Sequence, residues 1–229
     1  MSAYLLINIF IISIPLFLSF EKKIRFYKKI IPVIISIILT GIPFLIWDSI
    51  AVSDGDWSFN DHYLSGIKIL NLPLEEIFFF ITVPYSLLFL YECVRYYIKN
   101  KVCIKYFHLM ALVSIIFLIA GFISLGRSYT STVFFFCGVI FALIYIFNCK
   151  EFFSKQVLVT VLLSFIPFFI VNYLLTSLPV VLYNSGSITN FRLLTIPAED
   201  VFYSLSMISS WLFIFISFEK FFEKKSPLN

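Results

Sequence analysis

Leu72-Pro73-Leu74-Glu75-Glu76-Ile77-Phe78 and Ile196-Pro197-Ala198-Glu199-Asp200-Val201-Phe202 are two versions of one apolar stretch with an early proline and two consecutive acids. A shift of 124 residues superposes them, and no gap is needed from 43 to 92. The same shift places Pro43-Phe44 on Pro167-Phe168 and Asp48 on Asn172. Apolar composition alone does not explain prolines and acids that match at one offset. The sequence therefore predicts two tandem repeats.

The composition is typical of a membrane protein. Hydrophobic residues make up 61% of the 229 residues, charged residues make up 13%, and the mean hydropathy is +0.99. Apolar blocks of about 18 to 22 residues suit a hydrocarbon core of about 30 Å at 1.5 Å per helical residue. The predicted spans are 3–20, 30–47, 73–92, 107–125, 131–148, 156–176 and 197–218. We therefore expect an all-α membrane protein with seven transmembrane helices.

The repeats determine the expected organisation of these helices. Three crossings leave the chain on the opposite side of the membrane, so a second repeat in the same orientation needs one additional helix before it. The span 107–125 fills that role, which gives a 3+1+3 arrangement. The predicted units are a first repeat at 1–92, a linker with the fourth helix at 93–130, and a second repeat at 131–229.

The distribution of lysine and arginine predicts the orientation. The segments 21–29, 93–106, 149–155 and the tail after 218 carry 14 of the 17 basic residues, and the other face carries Lys68, Arg127 and Arg192. The positive-inside rule places the basic face in the cytoplasm, with the N-terminus outside and the C-terminus inside. The first span has its positive cluster after it, so we expect a retained helix rather than a cleaved signal. The predicted location is the cell membrane.

The paired acids are the main candidates for chemistry. A single proline followed by acids is well explained as the start of a helix, because proline suits the first turn and the helix dipole favours negative charge there. Two such motifs at equivalent positions favour a function, since acids inside a membrane usually face a cavity or the bundle interior. Each motif is followed by aromatic residues on the same helical face.

Cysteine, histidine and basic residues do not indicate further sites. Cys93, Cys103, Cys137 and Cys149 form no CxxC pair, and His62 and His108 are isolated. We expect free thiols and no metal. No basic run is interleaved with exposed aromatics, so we expect no nucleic-acid partner.

Five strings of residues carry a resemblance to a known family. They are Pro43–Asp48, Gly55–Asn60, Pro73–Phe80, Pro179–Asn184 and Ile196–Tyr203. In this order and spacing they resemble the small integral-membrane, non-flavin lycopene cyclases of carotenoid synthesis. The first three strings are similar to the first subunit of the two-subunit enzymes and the last two to the second. The resemblance covers nearly the whole chain, with the fourth helix in the place of a fusion linker.

The resemblance implies an isomerase, or intramolecular lyase, that closes the linear ends of lycopene into ionone rings without a cofactor. The β ring is the expected type; the choice of β or ε and of one or two rings stays open. The implied catalytic residues are Glu75, Glu76, Glu199, Asp200 and Asp48. Of these we expect Glu75 and Glu199 to be the acid and the base, in either order. The expected substrate-binding residues are Trp47, Trp57, Phe78, Phe79, Phe202 and Tyr203. Lycopene, membrane lipid and other carotenoid-pathway enzymes are the expected partners.

Three other functions remain open from the sequence. A 3+1+3 helix count also suits a small sugar transporter, although the spans carry few of the polar residues that a sugar needs. A retinal protein is disfavoured because the seventh span has no lysine for a Schiff base. The last is a related carotenoid-modifying enzyme, such as a hydratase.

Overall fold

The computed structural model describes residues 2–99, 102 and 107–225. Cys103 and the last four residues of the predicted cytoplasmic tail lie outside this part of the chain. Within it, the fold is all-α, with a few very short strands at one end of the helices. Each of the seven predicted apolar blocks forms a helix. The helices are α1 (Ala3–Leu18), α2 (Ile30–Asp54), α3 (Leu74–Tyr97), α4 (Leu109–Ile123), α5 (Ser128–Ile146), α6 (Lys155–Ser177) and α7 (Ala198–Lys225).

Local sequence explains where several helices begin and end. The hydroxyl of Ser2 accepts a hydrogen bond from the Leu5 amide at the start of α1, and Ser154 caps α6 in the same way. Helix α2 continues past the predicted span and ends at Gly55, whose positive φ of 78° suits a residue without a side chain. Pro73 immediately precedes α3. An N–H at the start of a helix has no partner within the helix, so the N–H that proline lacks costs no intrahelical hydrogen bond.

Five helices are long and apolar enough to cross a membrane by length and composition: α2 with its preceding turn, α3, α5, α6 and α7. Helices α1 and α4 are apolar but have 16 and 15 residues. At 1.5 Å per residue they are about 22 to 24 Å long, which is less than the roughly 30 Å hydrocarbon core. The fold is thus that of a membrane-embedded helical protein, and seven full crossings stay a prediction.

Short strands at one end of the helices repeat along the chain. A hairpin of β2 (Lys68–Ile69) and β3 (Leu72–Pro73) leads into α3, and a hairpin of β5 (Arg192–Leu193) and β6 (Ile196–Pro197) leads into α7. The paired positions of the second hairpin are those of the first, each 124 residues later. The offset found in the sequence therefore also relates the backbone pairing of the two hairpins.

A third strand pair joins the two halves of the chain. Strands β1 (Trp57–Phe59) and β4 (Val181–Tyr183) run antiparallel, with Ser58 opposite Leu182 at the centre. Ser58 and Leu182 are themselves equivalent at the 124-residue offset. The hydrogen bonds at the two ends of the ribbon are also equivalent to each other at this offset. The Asn60 amide donates to the Val180 carbonyl, and the Asn184 amide donates to the Asp56 carbonyl. This ribbon thus lies on a local two-fold axis. We call the end that carries it the ribbon end.

Helices α3 and α7 form the centre of the bundle. Helix α1 packs on α3 and α5 packs on α7, while each middle helix crosses to the other half, so that α2 packs on α7 and α6 on α3. Helix α4 lies against α5. The two halves are therefore interleaved rather than placed side by side, and both central helices begin at the ribbon end with their paired acids.

The opposite end is held by an ion-pair network. Arg95 of α3 contacts Glu92 at 2.7 Å and Glu219 of α7 at 2.6 Å. Lys29, just before α2, contacts Glu219 at 2.6 Å and also pairs with Glu92. Both carboxylates are buried and carry two cations each, so neither charge is left unpaired in the apolar interior. The network connects the ends of three helices.

Candidate functional site

A cavity of about 180 Å³ opens beneath the ribbon. Its walls come mainly from α1, α3, α6 and α7, with one residue each from α2 and α5, and the two ribbon strands cover it. Most of the lining is apolar, including Phe79, Val83, Phe168, Val171 and Trp211. Three carboxylic acids also line the cavity: Asp48, Glu76 and Asp200. The site therefore combines an apolar space with a small number of proton-bearing groups.

Glu76 reaches the cavity from the first turn of α3. It is 9% exposed, and its Oε2 accepts a hydrogen bond of 2.6 Å from the Tyr4 hydroxyl. Tyr4 belongs to α1, which packs along α3, so the helix pairing brings the phenol to the acid. No hydrogen bond to Oε1 of Glu76 is formed by the described residues. One oxygen of this carboxyl is thus fixed while the other is free to face a guest.

Asp200 occupies the equivalent position on α7 and has a different set of partners. Its Oδ1 accepts a hydrogen bond of 2.7 Å from the Tyr129 hydroxyl, and its Oδ2 accepts one of 2.9 Å from the Tyr183 hydroxyl. Burial, together with the neighbouring Asp200, raises the pKa of the Tyr183 phenol well above its ordinary value. Tyr183 therefore remains a donor at neutral pH. Both oxygens of Asp200 receive a phenol O–H, which stabilises a negative charge there.

Asp48 is the third acid, from the last part of α2. It is 2% exposed, and its Oδ1 accepts a hydrogen bond of 2.7 Å from the Tyr203 hydroxyl of α7. As with Glu76, one oxygen has a phenol donor and the other has none among the described residues. Each acid of the cavity thus binds at least one tyrosine, and Asp200 alone among the three binds two.

Aromatic rings surround these acids. Trp57 lies 5.1 Å from Tyr129, and Tyr129 stacks on Tyr183 with ring centroids 5.8 Å apart. On the other side, Phe79 lies 5.9 Å from Tyr4. Ring faces attract positive charge, more strongly where water is excluded. The cavity can therefore stabilise a cation that forms inside it, and a carboxyl can supply or remove the proton.

Glu75 and Glu199 are buried but do not line the cavity. Oε1 of Glu75 accepts bonds of 2.6 Å from the Ser2 hydroxyl and from the Ser65 amide. Oε1 of Glu199 accepts bonds of 2.7 Å from the Thr130 hydroxyl and 2.6 Å from the Thr189 amide. In each case the second oxygen is buried without a partner. Each glutamate thus connects the segment just before a hairpin to the start of a neighbouring helix. Their predicted role as acid and base stays untested, and their positions favour the assignment proposed below.

The predicted substrate-binding residues divide into two groups. Trp57, Phe79 and Tyr203 line the cavity. Trp47, Phe78 and Phe202 are not among the lining residues. Trp47 packs behind Trp57 and Tyr203, Phe202 packs against Phe117 and Phe134, and Phe78 is 37% exposed on the outside of α3. One of the two consecutive aromatics after each acid pair therefore reaches the site.

Several polar lining residues were absent from the predicted site, among them Tyr4, Tyr129, Tyr183 and Asn172. The repeat offered a signal for Asn172, because the 124-residue shift aligns it with Asp48. Tyr183 lies within one of the strings that carry the family resemblance. Tyr4 and Tyr129 carry no such signal, since a lone tyrosine near a helix start is common at membrane boundaries.

A family model matches the regions of the chain that form this site. The model of the family described as lycopene cyclase matches residues 1–94 and 126–218, and the interval between them contains α4. The bifunctional lycopene cyclase/phytoene synthase of Leptosphaeria maculans is 39% identical over 69 residues, which is 30% of this chain and 11% of that protein. The proteins of the same description from Pyrenophora tritici-repentis and Phaeosphaeria nodorum are 40% and 36% identical over 76 and 77 residues, or 33% and 34% of this chain and 12% of each relative.

These alignments span about a tenth of the length of the curated relatives. No solved structure matches the chain. The family match, by contrast, covers both halves of the bundle, all three acids of the cavity and both hairpins. The chain therefore belongs to the lycopene cyclase family.

Proposed function

We propose that the chain is a lycopene cyclase, an enzyme of carotenoid biosynthesis that closes the linear end of lycopene into an ionone ring. The observation that carries the proposal is the apolar, ring-lined cavity with three buried acids, each bonded to tyrosine. An apolar hydrocarbon fits such a space, and acids are the groups that its cyclisation needs. Membership of the family supports the same substrate.

The reaction begins with a proton. A protonated carboxyl gives its proton to the terminal double bond of lycopene, which leaves a tertiary cation. Glu76 and Asp48 suit this step, because each has one oxygen anchored by tyrosine and one that accepts no hydrogen bond from the described residues. A free oxygen can carry a proton and direct it into the cavity. We assign the general acid to this pair.

Ring closure and proton loss complete the reaction. An internal double bond attacks the cation, a carbon–carbon bond forms, and the positive charge moves onto the new ring. A base then removes a proton from a ring carbon and sets the ring alkene. Asp200 suits this role, because two phenol O–H groups stabilise its charged form beside the developing cation. One proton enters and one leaves, so the step is redox-neutral and is an isomerisation.

Glu75 and Glu199 act through their neighbours in this scheme. Each fixes the loop that precedes its own helix, and the cavity-facing acid is the next residue along the chain. A shift of the first helical turn would move Glu76 or Asp200 away from the substrate, and displacements of about 1 Å can reduce rates by about 10²-fold. We assign them as positioning residues.

We further propose that all seven helices cross or enter the membrane as 3+1+3, with units at 1–92, 93–130 and 131–229. The repeated hairpins, the ribbon on the two-fold axis and the interleaved packing support this arrangement. The short α1 and α4 then lie where the bilayer is locally thin or end below its surface. The N-terminus and the ribbon end face outside. Because lycopene is apolar, it reaches the site from the surrounding lipid of the cell membrane.

Pigment analysis tests the function directly. The chain is expressed in cells that accumulate lycopene, and the extracted carotenoids are separated by chromatography. Conversion of lycopene to a product of the same mass with one or two rings is expected. Unchanged lycopene, with the chain present and inserted in the membrane, would contradict the proposal and favour the transporter class. A product heavier than lycopene by one water would instead indicate a hydratase.

A further inference from the structure

The two hairpins that lead into α3 and α7 have the same backbone pairing but different charges. In the first repeat, the Lys68 ammonium pairs with Asp61 at 2.8 Å. The 124-residue offset places Arg192 at the position of Lys68 and Ser185 at the position of Asp61. The second repeat thus keeps the cation and lacks its acid. Within the part of the chain that the structure describes, no carboxylate forms an ion pair with Arg192.

Arg192 lies over the ring of Tyr183. Its guanidinium carbon is 6.0 Å from the centroid of that ring. One guanidinium N–H donates a hydrogen bond of 2.8 Å to the Thr195 carbonyl of the same hairpin, which fixes the position of the charge. Arg192 is exposed and does not line the cavity. The cation therefore lies behind the cavity wall and acts on the site through the wall residue Tyr183.

Tyr183 connects this cation to Asp200. Its hydroxyl donates a hydrogen bond of 2.9 Å to Oδ2 of Asp200, and its ring stacks on Tyr129, whose hydroxyl donates to Oδ1. A cation over a phenol ring attracts the electrons of the ring, which makes the O–H a stronger donor. The same positive charge attracts the carboxylate beyond the ring. Both effects stabilise the charged form of Asp200.

Glu76, the equivalent acid of the first repeat, has neither of these stabilising groups. The residue equivalent to Tyr183 is Phe59, which has no hydroxyl. The hairpin cation on this side is Lys68, and its charge is neutralised by Asp61. Two equivalent acids that line one cavity are therefore subject to different charges from outside the cavity.

We propose that Arg192 is a positioning residue of the cyclisation, which acts through Tyr183 to keep Asp200 charged as the base. The inference rests on the proposed cyclase function and extends it to a residue outside the cavity. The unequal charges of the hairpins also give the proton transfer its direction. The first repeat, whose hairpin cation is neutralised, keeps the acid that gives the proton, and the second repeat keeps the base that takes it.

Other titratable groups face Asp200 or Tyr183 from the helices packed around them. They come from α1, α2, α3, α5 and α7, and they are Tyr4, Asp48, Glu76, Tyr129, Glu199 and Tyr203. None of them is substituted in the variants below. A change in pH dependence therefore reports the charge at the hairpin.

Arg192→Gln tests the role of the charge, because it removes the cation and keeps a polar side chain with N–H donors. Initial rates are measured with the purified full chain in lycopene-loaded vesicles over a range of pH. A cation–ring contact at an exposed site corresponds to a factor of about two to five, and we expect a loss of rate of about that size. A base must be charged to accept a proton, and its charged form is less stable without the cation. The loss should therefore grow as the pH is lowered.

Two further variants separate charge from structure, and a third is the matched control. Arg192→Lys keeps a cation and should restore most of the native rate and the native pH dependence. Ser185→Asp leaves Arg192 in place and gives it the acid that Lys68 has. Ser185 is exposed, and we expect the same pH-dependent loss as in Arg192→Gln. Lys68→Gln changes the equivalent hairpin position, whose exposed ion pair contributes little to stability, and its rates should stay native.

The outcomes distinguish a failure of this inference from a failure of the proposed function. Equal losses in Arg192→Gln and Arg192→Lys that do not change with pH would overturn the inference, because Arg192 would then only hold the hairpin. A native pH dependence in Ser185→Asp, or the same pH-dependent loss in Lys68→Gln, would also overturn it. In each of these outcomes the native chain still converts lycopene, so the proposed function stands. Lycopene left unchanged by the native chain would instead overturn the function and the inference together.

Discussion

Glu75 and Glu76 are adjacent in sequence but have different environments, and substitution of each by glutamine should distinguish chemistry from positioning. Glu76→Gln keeps the size and one carbonyl oxygen, which can still accept the Tyr4 hydroxyl. Even a loss of about 1 kcal/mol from this hydrogen bond would be a small part of a folding free energy of roughly 5 to 15 kcal/mol. The protein should fold. Since an amide cannot donate a proton, turnover should fall by about 10²- to 10⁴-fold.

Glu75→Gln is the matched control. Both donors, from Ser2 and Ser65, bind the same oxygen, and an amide carbonyl has two lone pairs for them. The new NH₂ group takes the place of an oxygen that has no partner. A buried donor without an acceptor costs about 1 to 3 kcal/mol of stability. We therefore expect a lower unfolding temperature. Turnover should stay within about tenfold of the native rate, which corresponds to a change of about 1.4 kcal/mol in the activation free energy.

The assay uses purified chains in lycopene-loaded vesicles, with initial rates from pigment chromatography and folding checked by thermal unfolding. The two variants should rank in opposite order in the two measurements: Glu76→Gln the slower enzyme, Glu75→Gln the less stable protein. The reasoning is refuted if Glu75→Gln loses as much turnover as Glu76→Gln while its unfolding temperature is unchanged. Near-native turnover of Glu76→Gln would also refute it.

Other predictions follow from the same geometry. Asp200→Asn should lower turnover by about 10²- to 10⁴-fold, and Tyr183→Phe by a smaller factor, because Tyr129 still donates to Asp200; equal losses in initial-rate assays would contradict the assignment of Asp200 as the base. Cyclisation in heavy water should place one deuteron in each new ring without added flavin or reductant, as measured by mass spectrometry; undeuterated product would exclude an acid in exchange with solvent. A reporter inserted at residue 60 should be active only outside the cytoplasm and one at the C-terminus only inside, and activity of the first in the cytoplasm would reverse the orientation.

The helices could be predicted from sequence because a long apolar segment in a membrane forms a helix. A span of apolar residues must satisfy its own backbone hydrogen bonds, and a helix does so locally. All seven blocks accordingly form helices, although α2 and α7 each continue seven residues past the predicted spans of 30–47 and 197–218. The ribbon was not predicted, since β1 and β4 have three residues each and their pairing depends on contacts across more than half the chain. The 124-residue offset is nevertheless consistent with the ribbon, because its central pair, Ser58 and Leu182, is separated by that offset.

The site was harder to predict because consecutive residues in a helix point about 100° apart. The paired acids could be located, but which acid of each pair faces the cavity depends on how the whole helix is rotated in the bundle. The sequence-based choice of Glu75 and Glu199 assumed that the acid on the face of the following aromatics would react. The structure places Glu76 and Asp200 on the cavity. The tyrosines that bind them come from α1, α5 and the ribbon, so only tertiary packing reveals them.

The ribbon has a consequence for how such a chain can arise. Its hydrogen bonds join backbone groups, and the pairing is centred on Ser58 and Leu182, which are the same position of the repeat. A backbone bond does not depend on side-chain identity. A single ancestral repeat could thus have paired with a second copy of itself through this ribbon, as a symmetric homodimer with one cavity shared by the two copies. Gene duplication and fusion would then release each copy to diverge, as at the equivalent lining positions Asp48 and Asn172.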